Sequence, residues 1–76
     1  MELEKLQKII AGILNVDPSE VAMDSTLRDD LGADSLDCYQ IFTKIEEVFH
    51  IHLTTEEIEN CVRIEDVIDA IKKAMK

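Results

Sequence analysis

The stretch DDLGADSLD, Asp29 to Asp37, sets four carboxylates, one glycine and one hydroxyl immediately ahead of an apolar-periodic run. Several chemistries are open to such a segment. Ser35 can act as a nucleophile, which requires a hydrogen-bonded base oriented by a third group. It can cap a helix, for which a helix behind it is enough. Its hydroxyl can also be the substrate of another enzyme, because a phosphodiester placed there would meet the positive end of a helix dipole and free N–H donors. Calcium binding is suggested by the carboxylates and refused by their spacing. Counted from Asp29, the glycine required at the sixth position of a calcium loop is Asp34, and the glutamate required at the twelfth is Gln40.

Autonomous serine catalysis fails on distance. The only histidines are His50 and His52, beyond the far end of the run that Ser35 opens, and a helix of that length separates its ends by about 22 Å. The two histidines, two positions apart, share no helical face, and no nearby cysteine completes a zinc pattern. They read as loop residues, and no metal site is expected.

The elements that position the serine follow from periodicity. Leu3, Leu6, Ile9 or Ile10, Ile13 and Leu14 recur at helical spacing with charged residues between them, predicting a first helix over roughly residues 2–14. Asn15 can end it, and Asp17-Pro18 disfavours helix at Asp17 while Pro18 can open a short turn. A long polar loop then leads to the motif, with Leu27 and Leu31 as anchors; loops of this length are often functional. Gly32 allows a sharp turn into the second helix, and either Asp34 or Ser35 can accept its first unsatisfied N–H groups. From Ser35 to Phe49 the residues Leu36, Tyr39, Ile41, Phe42, Ile45, Val48 and Phe49 form a stripe wider than one core face needs. TTEEIEN predicts a short third helix capped by Thr54 or Thr55, with Glu56 and Glu57 in its first turn. Ile64, Val67, Ile68, Ile71 and Met75 predict a fourth, with Lys72, Lys73 and Lys76 at its C-terminal end. The expected fold is all-α, a small bundle of three main helices plus one short one.

With 76 residues the chain reads as one domain, 1–76, without room for a separate catalytic one. A core of this size contributes no more than about 3–5 kcal/mol. The net charge of −9 is concentrated: between Asp24 and Glu59 ten acids face two bases, Arg28 and Lys44. Such a field repels nucleic acid and anionic membranes and suits a basic protein surface. No stretch is long and apolar enough to span a bilayer, and no signal or transit pattern opens the chain, so a cytoplasmic setting is expected. The two cysteines, Cys38 and Cys61, read as small hydrophobes helping to fill the core.

DDLGADSLD resembles the phosphopantetheine attachment motif of acyl carrier proteins, D-x-G-x-D-S-L-D. The likeness extends over nearly the whole chain: a long first loop, IEEVF near the end of the second helix, the short TTEEIEN helix and the closing VRIEDVIDAI. The resemblance implies an acyl-carrier-like bundle whose Ser35 receives 4′-phosphopantetheine from coenzyme A through a magnesium-dependent holo-synthase. The arm's thiol would carry acyl groups as thioesters to the enzymes of fatty-acid biosynthesis, and the carrier itself would catalyse nothing. Asp34, Leu36 and Asp37 match family positions touched by the holo-synthase. Gln40, Glu46, Glu47, Glu56 and Glu57 match positions on the partner-facing helices, where basic docking surfaces of acyl-processing enzymes would meet a monomeric carrier. The family opens a tunnel between helices for the acyl chain, and Phe42, Ile45, Phe49, Ile58, Cys61, Ile64 and Ile68 would line it here.

Departures from the usual fatty-acid pattern fall on the same face. Tyr39 stands where valine is usual, Gln40 replaces a common glutamate and Thr43 a frequent methionine. Tyr39 and Thr43 lie beside the serine on the docking face, so these changes bear on the partner set. A specialised carrier for a polyketide-like or other dedicated acyl or aminoacyl pathway is the second reading. An unmodified helical interaction module is the third.

Overall fold

The computed structural model describes residues 2–75. Four α-helices follow one another: α1 (Glu2–Leu14), α2 (Ser35–Phe49), α3 (Thr55–Glu59) and α4 (Ile64–Ala74), with a 3₁₀ turn at Pro18–Glu20. Each boundary has a local cause. Asn15 takes the left-handed conformation, φ 61°, that ends α1, and His50 does the same for α2 at φ 56°. The 3₁₀ turn is closed by a reciprocal capping box in which Asp17 accepts the Ser19 N–H and Glu20 accepts that of Asp17, both at 3.0 Å. At α4 the carboxylate of Asp66 reaches back to the N–H of Arg63 at 3.0 Å.

The core is a single cluster. Leu6 and Ile10 of α1 meet Ile41, Phe42 and Ile45 of α2 and Ile64, Val67, Ile68, Ala70 and Ile71 of α4, all buried. α3 contributes no buried residue and is held through the half-buried Ile58. Met75 departs from the fourth-helix stripe predicted for it: the helix ends at Ala74, and Met75, its C-cap, is 53% exposed. The periodicity continues one step past the last residue that still faces the core. Lys76 lies outside the described residues.

The polar loop through Met23, Asp24, Ser25 and Thr26 is pinned by the anchors expected of it, and its flanks are packed as well. Val21, Leu27 and Ala33 are buried, and Leu31 packs against the cluster half-buried. Backbone bonds tie it to the start of α4: Leu27 N–H to Val62 O at 3.1 Å, Ile64 N–H to Ser25 O at 3.0 Å, and Glu65 N–H to Met23 O at 3.0 Å. Thr26 and Arg63 form an isolated antiparallel bridge. Thr26 and Asp30 exchange side-chain-to-backbone bonds at 2.8 and 2.9 Å. Gly32, at φ +73°, then turns the chain into α2, a conformation that strains any other side chain. The loop is thereby a fixed platform that presents the end of α2.

Candidate functional site

The choice between Asp34 and Ser35 as cap is decided by one residue of offset. Asp34 has extended backbone geometry and its Oδ1 accepts the Asp37 N–H at 2.8 Å, while Asp37 Oδ2 accepts the N–H of Asp34 at 3.3 Å. Ser35 is therefore the first residue inside the helix, not its cap. Its N–H and that of Leu36 belong to the group an α-helix leaves without intrahelical acceptors. Its hydroxyl is exposed and accepts one contact, from Arg28 Nη2 at 3.4 Å. A guanidinium is a permanent cation and cannot act as a base. His50 caps the opposite end of α2, away from the serine.

The helix that starts at Ser35 carries more apolar surface than the core uses. Ile41, Phe42 and Ile45 are buried, whereas Leu36 is 63% and Tyr39 71% exposed. Gln40, Thr43 and Glu47 are exposed on the same helix; Asp37 is half-buried. The Thr43 hydroxyl donates back to the Tyr39 carbonyl at 2.8 Å, and Glu47 lies 3.8 Å from Lys44. Glu46 points elsewhere: its Oε2 accepts the Leu53 N–H at 2.9 Å and faces His52 Nδ1 at 3.3 Å, joining α2 to the α3 approach. Glu56 is exposed on α3. Glu57 completes the cap that Thr54 makes at α3, accepting the Thr54 N–H at 3.2 Å and its hydroxyl at 3.0 Å. These bonds hold the Glu57 carboxyl below the ordinary glutamate value.

Beside Ser35 lies a cavity of about 270 Å³, lined by Arg28, Ser35, Cys38, Tyr39, Phe42, Ile58, Glu59 and Cys61. It gathers Phe42, Ile58 and Cys61 of the expected tunnel lining. Ile45 and Ile64 are fully buried and Ile68 nearly so, while Phe49 sits half-buried with Lys5 Nζ 5.7 Å from its ring centre. None of these four borders this cavity. Cys38 and Cys61 are half-buried and pack against the edge of the core. Burial raises the Cys38 thiol, with Arg28 opposing, and pushes Cys61 up to about 11, with Asp66 and Glu57 adding to the effect. Both stay protonated near neutral pH and present the cavity with weakly polar walls.

Arg28, Cys38 and Glu59 are site residues that periodicity does not mark. Cys38 is legible in retrospect, one turn beyond Ser35. The other two arrive from separate segments.

A family model described as "Phosphopantetheine attachment site" matches residues 4–71. The chain is 43% identical over 72 residues to an acyl carrier protein of Clostridium acetobutylicum, covering 95% of this chain and 94% of that one. It is 39% identical over 69 residues to an acyl carrier protein of Rubrobacter xylanophilus, covering 91% and 85%. An acyl carrier protein of Buchnera aphidicola is 40% identical over 70 residues, covering 92% and 90%.

Proposed function

We propose, from the premise that this chain belongs to the phosphopantetheine-bearing acyl carrier family, that Ser35 is the attachment point and fatty-acid biosynthesis the pathway served. Members of the family are carriers rather than catalysts, and 4′-phosphopantetheine is their covalent prosthetic group. The observation that carries the reading is the capping of α2 by Asp34. The helix is closed without Ser35, so modifying its hydroxyl removes no structural bond of the fold.

The residues around Ser35 suit a phosphodiester and an extended arm. The first-turn N–H groups and the positive end of α2 favour an anion, and the neighbouring cavity has room beside Phe42 and Ile58. When attached, the arm supplies a terminal thiol on which acyl groups travel as thioesters. The chain's own part is to hold the attachment point on a rigid platform and to offer Leu36, Tyr39, Gln40, Thr43 and Glu47 along one exposed side of α2. Asp34, Asp37, Glu46, Glu56 and Glu57 add negative field around that side. Charged surfaces of this kind speed encounter with basic enzymes without requiring a tight complex, and a tether keeps the cargo concentrated at whichever active site is engaged. The tunnel is read as a minor state that widens the cavity towards Ile45, Phe49, Ile64 and Ile68 once a chain is attached. Such a carrier works as a monomer, one domain, in the cytoplasm; among the described residues no helix is long and apolar enough to cross a membrane.

A specialised acyl pathway is the second reading, supported by the exposed Tyr39 ring and by Thr43 on the docking side. The deciding experiment is intact mass and peptide mapping after incubation with coenzyme A, magnesium and a broad-specificity phosphopantetheinyl transferase. One phosphopantetheine on Ser35, absent from Ser35→Ala, is the expected result. A folded wild-type chain that several transferases leave untouched is a helical interaction module instead.

A further inference from the structure

We propose that Arg28 binds the phosphodiester that attachment at Ser35 creates, pairing its charged oxygens through the guanidinium; the proposal rests on Ser35 being the attachment point. Arg28 Nη2 already stands 3.4 Å from Ser35 Oγ, long for a hydrogen bond to a neutral hydroxyl. Esterification turns that Oγ into a bridging oxygen and sets the anionic oxygens on the adjoining phosphorus. The same planar fork then has a charged acceptor in reach, which it engages more strongly and, where geometry allows, with two parallel bonds.

The surroundings single this guanidinium out. Between Asp24 and Glu59 the only bases are Arg28 and Lys44, and Lys44 is paired with Glu47. Arg28 makes no ion pair among the described residues, although Asp29, Asp30, Asp34 and Asp37 are its neighbours in sequence. Their carboxylates are engaged elsewhere in three cases: Asp30 by the Thr26 N–H, Asp34 and Asp37 by the cap of α2. The backbone at Arg28 is fixed by its buried neighbour, since Leu27 donates to Val62 O at 3.1 Å and accepts from Ala33 N–H at 2.9 Å. A cation without an ion pair among the described residues thus lines the same cavity as Ser35 and Cys38. Its charge is also felt at the Cys38 thiol, where it opposes the effect of burial. Attachment adds a negative charge to an already acidic region, and Arg28 is the group placed to offset it.

The chain has two arginines, Arg28 and Arg63, so their side-chain Nε–H signals in a ¹⁵N-labelled sample provide a probe and an internal control. Unloaded and loaded protein, the latter confirmed by mass, would be compared, with ³¹P spectra recorded for loaded wild type, Arg28→Gln and Arg28→Lys. Loading should move the Arg28 signal and leave that of Arg63 in place. The ³¹P resonance of Arg28→Gln should fall near that of a free phosphopantetheine diester, and Arg28→Lys should lie between it and wild type. At low salt, loading should lower the melting temperature of Arg28→Gln by about 1–4 °C more than that of wild type, and added salt should close the gap. An unmoved Arg28 signal in protein of confirmed loading overturns the proposal, as does an Arg28→Gln sample with wild-type ³¹P position. If the glutamine variant is not loaded, the wild-type arginine shift decides alone. A wild-type chain that is not loaded at all refutes the attachment reading, which the mass measurement reports separately.

Discussion

α2 and α3 begin with the same device and use their hydroxyls differently. At α3, Thr54 is the cap: its Oγ1 accepts the Glu57 N–H at 3.1 Å, and Glu57 returns the bond. At α2 a carboxylate, Asp34, takes the cap position, Asp37 returns the bond, and the hydroxyl is displaced one residue into the helix. The threonine hydroxyl is committed to the cap, and the serine hydroxyl takes no part in one. On the proposed reading, the modification point of α2 is a residue on which its cap does not depend.

Breaking each hydroxyl in turn tests this contrast most strongly. Ser35→Ala is expected to abolish loading while changing stability by no more than about 0.5 kcal/mol; intact mass and thermal melting read the two effects. Thr54→Ala should do the reverse, remaining a substrate for loading while losing about 1 kcal/mol, which lowers the melting temperature of a domain this size by roughly 4–8 °C. Asp34→Ala should cost about 1 kcal/mol, comparable to the Thr54 variant, whereas Asp34→Asn should stay within about 0.5 kcal/mol of wild type because asparagine caps equally well. A large stability loss in Ser35→Ala, or none in Asp34→Ala, would reverse the assignment of roles.

The smallest effect sharpens the comparison through pH. Glu57 has a folded-state pKa below its ordinary value because of its bonds to Thr54, and Asp17 is lowered in the same way by Ser19. Carboxyls lowered by folding contribute stability that is fully present above the unfolded value and is lost as pH falls through the folded one. Glu57→Gln should therefore be less stable than wild type near about pH 6, and the difference should shrink towards about pH 3. Parallel melting curves at both values would remove the capping carboxylate from the explanation.

Local signals carried most of the fold. The spacing of Leu3, Leu6, Ile10 and Ile13 places α1 at its observed Glu2–Leu14, and α2 runs over its predicted Ser35–Phe49. Both are bounded by residues whose preferences act within a few positions, Asn15 and His50 in the left-handed region and Asp34 at the cap. Where the reading missed, non-local contact was the cause. Met75 keeps the period of α4 but has no core opposite it. Packing alone separates Phe42 and Ile58, which border the cavity beside Ser35, from Ile45 and Ile64, which are fully buried, since all four are apolar alike. Val21 and Ala33, which stand outside any periodic apolar run, are nonetheless buried.

The sequence by itself determined where the helices lie, that Ser35 stands at the threshold of one of them and that both histidines lie beyond its far end, because periodicity, caps and helix length act along the chain. The tertiary structure decided which residue closes α2, which apolar side chains border open space, and that Arg28 meets Ser35 across seven positions. That meeting depends on the loop being pinned to the start of α4 through Leu27, Ser25 and Met23. Such a contact is made only when segments distant in sequence pack together, so no local preference at Arg28 encodes it.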